Sequence, residues 1–238
     1  PLSLAGAGVV RAARESWRGE SSATALWLVW FVAALGRVSL PGMVIYNGLR
    51  QIMELLPALC LLAGLGGEWL WELICRALEG RRWGGARPWA GAALMGLLVI
   101  PQIVMLARLH PYEAAYFNAL AGGERGASRS YTLEYWGQTY KEGGERLNAH
   151  AGRGAWVAAP IAGHLAGYSL RPDLQLVQTD QVTELQDRPG EGYVMVMHNR
   201  DWYGGPGTLP EYCEAHCEPA HVIRADGAPL LIIYRWAE

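Results

Sequence analysis

Two residues stand where an apolar run gives way to polar sequence, and their types could move a proton. His110 and Glu113 follow the run from Trp89 to Leu109, three positions apart. In a helix both side chains would share one face. An imidazole and a carboxylate so placed could orient an acceptor hydroxyl or serve as acid and base. The same spacing suits a helix boundary in which Pro111 starts a new turn, so both readings stay open. Arg50 suggests a second chemistry. It lies between two apolar runs, in the loop Pro41-Gly42-Met43-Val44-Ile45-Tyr46-Asn47-Gly48-Leu49-Arg50-Gln51. A guanidinium stays charged and grips phosphate bidentately, which makes Arg50 a candidate for holding a lipid-linked phosphate. A long Arg at the end of a membrane helix can also snorkel toward headgroups. That is the structural role expected of Arg37.

Aromatic residues cluster after the same boundary. Tyr112, Tyr116, Tyr135 and Trp136 could stack on the apolar faces of sugar rings, or could seat an outer domain on the bilayer surface. Further along, Cys213 and Cys217 flank three residues, with His221 close behind. Zinc ligands share that spacing, an oxidising compartment favours a disulfide between the two, and free thiols are the third possibility. Cys60 and Cys75 fall in or beside apolar runs and read as small hydrophobes. His164 and His198 each follow a strand-like run, where α/β folds often place sites, although a histidine there is more often an ordinary surface residue. Gly122-Gly123 and Gly204-Gly205 lack the strand-then-helix setting of a phosphate loop and read as turns. No Ser-His-Asp or Cys-His nucleophile can be assigned.

The elements that must position these residues divide unevenly along the chain. Its 238 residues are 51% hydrophobic, yet mean hydropathy is only +0.07. The average hides apolar runs crowded into residues 23–109 and ordinary globular sequence over 110–238. A net charge of −2 argues against a nucleic-acid partner. The basic residues are Arg except for Lys141, and seven of the 11 Trp precede residue 90, several flanking the apolar runs as an interfacial belt does.

Three runs approach the roughly 20 apolar residues that a membrane crossing needs: Ala23–Leu40, Ile52–Leu73 and Trp89–Leu109. Arg11, Arg14 and Arg18 precede the first, and Arg76, Arg81, Arg82 and Arg87 separate the second from the third. The positive-inside rule puts both Arg-rich stretches in the cytoplasm, and an odd number of crossings then puts 110–238 outside. Pro1–Val10 reads as the end of an upstream helix, with residues 1–22 completed by a cytoplasmic loop, so that the chain would be the C-terminal part of a larger protein. The expected organisation is therefore membrane α-helical, with a three-span region over 23–109 and a small extracytoplasmic α/β domain over 110–238. In that domain the pattern predicts helices over Ala114–Leu120 and Gln138–His150. It predicts strands over Ala155–Ile161, Leu174–Gln178, Tyr193–His198, His221–Arg224 and Leu230–Trp236.

Several short motifs resemble one group of proteins. Tyr46-Asn47-Gly48-Leu49-Arg50, Leu55-Leu56-Pro57-Ala58-Leu59 and Leu62-Ala63-Gly64 are similar to the Tyr-Asp-Gly-X-Arg-His, Leu-Pro-Pro-Leu and Leu-Ala-Gly pattern of bacterial GT-C membrane glycosyltransferases. These are the protein mannosyltransferase-like and aminoarabinose-transferase-like enzymes. His110-Pro111-Tyr112-Glu113, Tyr116-Phe117-Asn118, Gly122-Gly123, Gly126-Ala127 and Tyr135-Trp136-Gly137 resemble the segment after that group's last span. The resemblance covers roughly residues 40–140, with motifs in order. It implies transfer of a sugar from a polyprenyl-phosphate carrier to an acceptor at the outer membrane face. Arg50 would contact the carrier phosphate, with Asn47 and Gln51 beside it. Asn47 stands where the pattern has Asp, and Gln51 where it has His. The group's catalytic carboxylate belongs to an early external loop, so no catalytic residue is expected among these 238 beyond the candidates His110 and Glu113.

The resemblance thus implies a multi-pass protein of a bacterial inner membrane, its C-terminal domain in the periplasm or extracellular space. Its partners would be membrane lipid, the carrier-linked sugar, and a glycan, lipid or protein acceptor. No cofactor is expected and a divalent metal is left open. The rival expectation is a membrane-tethered module that binds a glycan or protein without catalysis.

Overall fold

The computed structural model describes residues 2–43, 51–78, 87–198 and 207–236. The chain separates into two compact units, Pro1–Val104 and Met105–Glu238. The first is helical. Helix α1 is Leu2–Trp17, α2 is Ser22–Val38, α3 is Leu55–Leu78, and α4, Arg87–Leu109, runs on into the second unit. Two stretches are long and apolar enough to cross a membrane, Leu55–Ala77 in α3 and Trp89–Leu109 in α4. None of the most apolar window of α4 is buried in the protein, as befits a surface that meets lipid. The expected first span is a 17-residue apolar helix, about 26 Å long against a hydrocarbon core of about 30 Å.

Helix α1 extends past the expected boundary at Val10 as far as Trp17. Arg11 and Arg14 therefore sit on a helix and not in a loop. Ala12, Ala13 and Arg14 are strong helix formers, and the opposing helix supplies the charge that Arg11 needs. Arg11 pairs with Glu68 at 3.4 Å and Glu72 at 3.2 Å on α3, and with Glu15 at 2.8 Å on its own helix. Charges on an apolar helix are tolerated when paired inside a bundle. Small residues bring the two backbones together: Ala5, Gly8 and Ala12 are buried on α1, and Ala58 and Gly66 on α3. A Cβ on Gly8 would strike the Leu62 carbonyl, and one on Gly66 would strike the Leu4 carbonyl. The glycines thus face each other at the crossing point, and Arg11 reaches residues C-terminal to Gly66, so α1 and α3 run in the same direction. Arg37, at the end of α2, donates to Glu54 at 2.7 Å and to the Gln51 carbonyl at 2.6 Å. It braces the turn that leads into α3.

The second unit holds, among its described residues, a mixed five-stranded sheet in the order β2-β1-β3-β5-β4. Strands β1 (Trp156–Ala158), β2 (Gln175–Val177) and β3 (Gly192–Met197) are parallel. β4 (Glu218–Ala225) and β5 (Ala228–Arg235) form an antiparallel hairpin that pairs with β3 through β5. Alternation divides the side chains between two cores. Val157, Met195, Met197, Leu231 and Ile233 face a layer built from α6 (Tyr140–His150) and α7 (Gly163–Gly167). Trp156, Ala158, Val194, Val196 and Tyr234 face α8 (Thr183–Gln186) and α9 (Leu209–His216). The unit is a three-layer α/β sandwich.

All five expected strands are present with shifted ends, and the expected helix over 138–150 is α6. The helix expected over Ala114–Leu120 is absent. In its place stand two short 3-10 turns, Glu113–Ala115 and Ala119–Ala121, followed by α5, Gly123–Ala127. The residues between the turns are extended: Tyr116 has ψ 126° and Asn118 has ψ 169°. Asn118 spends its side chain on the Leu120 and Ala121 amides, a local competitor to helix formation.

The crossing of α1 and α3 yields a direct test. Gly66→Leu forces the backbones apart and destabilises the first unit by about 2 kcal/mol or more. Gly64→Ala, at a position open on all sides, is neutral or slightly stabilising. Unfolding in mixed micelles, followed by Trp fluorescence, separates the two outcomes.

Candidate functional site

The segment leaving α4 is anchored before it is reactive. Leu109 is buried, and Tyr112 lies in the core beneath α6. The Tyr112 hydroxyl donates to Glu142 on that helix. Burial, reinforced by the Glu142 carboxylate, holds the phenol well above the ordinary tyrosine range. Tyr112 is therefore a fixing point, unavailable as a stacking platform for a sugar. His110 and Glu113 do meet, Nδ1 to Oε1 at 2.6 Å, on an exposed surface. The hydrogen bond from His110 is the main reason the Glu113 carboxyl lies below its usual range. Of the other aromatic candidates, Tyr116 is partly exposed, Tyr135 is half-buried and Trp136 is exposed.

Trp136 is presented by a carboxylate that sequence reasoning did not single out. Glu134 is fully buried. Its Oε1 accepts from the Trp136 and Gly137 amides at 2.9 and 3.0 Å, and its Oε2 accepts from the Thr139 amide at 3.3 Å. Three amides converging on one carboxylate shape the loop 134–139 as a nest, with the buried charge compensated by hydrogen bonds. The amides of Leu133 and Glu134 in turn donate to the carbonyl of His198, at the exit of β3. The Tyr140 hydroxyl donates to the Ile161 carbonyl after β1. The loop is thereby laid across the carboxyl ends of the parallel strands.

At that edge the chain parts. The connection after β1 enters α7 on one face of the sheet, and the connection after β2 enters α8 on the other. Adjacent parallel strands whose exits diverge leave a crevice at their carboxyl ends, the position where open α/β sheets place ligands. A cleft of about 470 Å³ lies there, lined by Pro160, Ala162, His164, Gln178, Thr179 and Asp180. Ala162 adopts a left-handed conformation, φ 49°, unusual for a residue with a Cβ and a mark of local strain. Thr179 is buried, while His164, Gln178 and Asp180 are exposed. An imidazole, an amide, a hydroxyl and a carboxylate can together donate to and accept from a hydroxyl-rich ligand. His164 was expected at this edge. Gln178, Thr179 and Asp180 were missed, although a polar triplet directly after a strand-like run carries the same signal.

Cys213 and Cys217 are free thiols in contact with each other, one of the three states that their spacing left open. They are buried beneath Trp156, Tyr212 and Trp236. Burial pushes the Cys213 thiol upward, and Cys217 adds to it. Among the described residues no group of three or more His, Cys, Asp or Glu is placed to hold a metal ion. Asn47 and Arg50, two of the three residues expected at the carrier phosphate, and the turn Gly204-Gly205, lie outside the described residues. Gln51 precedes α3, its carbonyl taken by Arg37. No protein-family profile, curated protein or solved structure matches the chain.

Two measurements follow from this geometry. Glu134→Ala strips three amides of their acceptor and destabilises the second unit by about 3 kcal/mol, whereas Glu134→Gln costs less; denaturant unfolding reads both. The His110–Glu113 contact contributes stability that is fully present above the ordinary glutamate value of 4.5 and is lost as pH falls through the lowered value. A carbon-detected titration of the Glu113 carboxyl therefore has its midpoint below that of an ordinary glutamate. His110→Ala returns it toward the ordinary range.

Proposed function

We propose that the chain is part of an integral-membrane glycosyltransferase. It moves a sugar from a polyprenyl-phosphate carrier to an acceptor at the outer membrane face. The observation that carries the reading is the order of its parts. Two helices of membrane-crossing length lie within the stretch that resembles the GT-C group, and the second leads directly into an α/β unit with a polar crevice at its carboxyl edge. In this reading α2 is a further crossing, and the α/β unit lies in the periplasm or extracellular space. Arg50, with Asn47 and Gln51, meets the carrier phosphate at the outer mouth of α3. The crevice around His164, Gln178 and Asp180 receives acceptor hydroxyls, and Trp136 offers a face to a sugar ring. His110 and Glu113 position the junction. The transferring carboxylate comes from the early external loop that the resemblance implies.

The membrane-tethered binding module remains a second reading, favoured by the same crevice. Carrier affinity distinguishes the two. With the chain in nanodiscs and undecaprenyl phosphate as probe, Arg50→Ala weakens binding by about 10- to 100-fold, the worth of a charge-assisted bidentate contact. Arg37→Ala lowers the yield of folded protein and leaves the affinity of the folded fraction unchanged, because Arg37 is engaged with Glu54 and Gln51. Equal losses from both substitutions would sink the phosphate assignment. An absence of any carrier binding would select the binding module.

A further inference from the structure

The segment between α4 and α6 holds an apolar side chain out into its surroundings by design of the backbone. Leu120 is 85% exposed, yet the turn that carries it is firmly built. Asn118 Oδ1 accepts from the Leu120 and Ala121 amides at 2.9 and 3.3 Å. The Asn118 carbonyl accepts from Ala121 and Gly123 at 3.0 and 3.1 Å. Gly122 and Gly123, with φ 81° and 64°, then turn the chain into α5 through two successive left-handed positions. A loose loop could fold such a leucine away, but this one cannot. On the same stretch Tyr116 is 39% and Tyr131 53% exposed. Tyr131 stacks on Phe117 with ring centroids 5.4 Å apart.

Basic residues accompany this apolar surface, and an ion pair sets its position. Arg125 and Arg129 are exposed, and Arg129 has no acidic partner among the described residues. Asp226, at the turn of the β4–β5 hairpin, holds two arginines. Its carboxylate takes Arg108 Nη2 at 3.2 Å and its carbonyl takes Arg125 Nε at 3.0 Å. Arg108 lies in the last turn of α4, so α5 is tied beside the end of a helix of membrane-crossing length. Tyrosine, leucine and arginine are the residue types that suit the boundary between acyl chains and headgroups.

We propose that Tyr116, Phe117, Leu120 and Tyr131 form an interfacial foot that, with Arg125 and Arg129, docks on anionic phospholipid headgroups at the end of α4. The foot rests on the crossing of α4 that the functional reading also uses, and requires neither carrier nor transfer. Leu120 enters the acyl boundary, the tyrosines lie at headgroup level, and Arg129 meets lipid phosphate.

Photocrosslinking of the whole chain tests this. The chain is placed in nanodiscs of phosphatidylcholine, with or without phosphatidylglycerol, doped with a phospholipid carrying a diazirine near the glycerol. Adducts are mapped by mass spectrometry. Adducts are expected on residues 116–131 as well as on α3 and α4. Phosphatidylglycerol raises the yield on 116–131 by about fivefold, the worth of roughly one kcal/mol for an arginine near an anionic surface. Leu120→Glu cuts that yield by about tenfold and leaves the labelling of α3 and α4 intact; as an exposed site it spares folding. Arg129→Glu removes the phosphatidylglycerol dependence. Tyr168→Glu, at an equally exposed position in another part of the unit, changes nothing. Labelling of α3 and α4 without 116–131, or a yield indifferent to Leu120→Glu, overturns the proposal. Absence of label from α4 itself overturns it together with the crossing. Loss of carrier affinity alone leaves it standing.

Discussion

Asp226 carries more of the second unit than its place in a two-residue turn suggests. The turn itself is a local matter: Asp226 at φ 42° and Gly227 at φ 84° give the twist that a tight hairpin requires. What the turn then holds is not local. Arg108 comes from the end of α4 and Arg125 from α5, and both converge on the one residue. The carboxylate is partly exposed, so the direct Coulomb gain is modest. Its larger effect is geometric. The hairpin is the far edge of a sheet whose core includes Leu230, Leu231 and Ile233, and a rigid edge gives the two arginines a fixed anchor. The path of the chain from Arg108 to Arg125 is thereby closed at both ends, which leaves Leu120 no freedom to withdraw.

The same sheet explains where polar groups can gather. The parallel strands β1, β2 and β3 direct their carboxyl ends to one edge. Because α7 and α8 lie on opposite faces, that edge cannot be sealed by its own connections. Glu134 closes part of it by gathering three amides into a nest. What remains open is lined by His164, Gln178, Thr179 and Asp180. The antiparallel hairpin adds no such edge, since its strands are joined by a turn. The crevice is a consequence of topology before it is a consequence of residue type.

Legibility in the sequence followed the range of the forces involved. The strands were readable as short apolar runs separated by Gly, Pro and Asp clusters, a signal set within a few positions; β3 is buried on both faces. The apolar stretches of α3 and α4 were readable from their length and composition. Helix α8 was not, since the four residues Thr183–Gln186 make barely one turn and cannot repeat a helical period. Helix α9 announced itself through Thr208 and Pro210, a start signal that was passed over. The false helix at 114–120 came from helix-forming alanines, overruled by one hydrogen-bonding asparagine. Arg11 could be seen as basic but not as paired, because Glu68 and Glu72 lie some 60 residues away. Asp226 was invisible in the same way, since Arg108 and Arg125 lie more than 100 residues before it; Glu134 binds amides only two to five residues ahead, but its burial comes from the folded unit.

At the junction after α4 the two readings of His110 and Glu113 meet the same geometry. His110 and Glu113 have the types and the distance of an acid and a base. Each nevertheless spends its main lone pair or proton on the other, at 2.6 Å. Imidazole bonding keeps Glu113 ionised to lower pH than usual, the opposite of the raised value that a general acid at neutral pH needs. The pair is exposed, so water screens whatever charge it could offer a transition state. Immediately beside it, Tyr112 is locked into the core by Glu142. The physical content of His110-Pro111-Tyr112-Glu113 is therefore positional. It fixes the direction in which the chain leaves α4, through Tyr112 in the core and the hydrogen bond to Glu142.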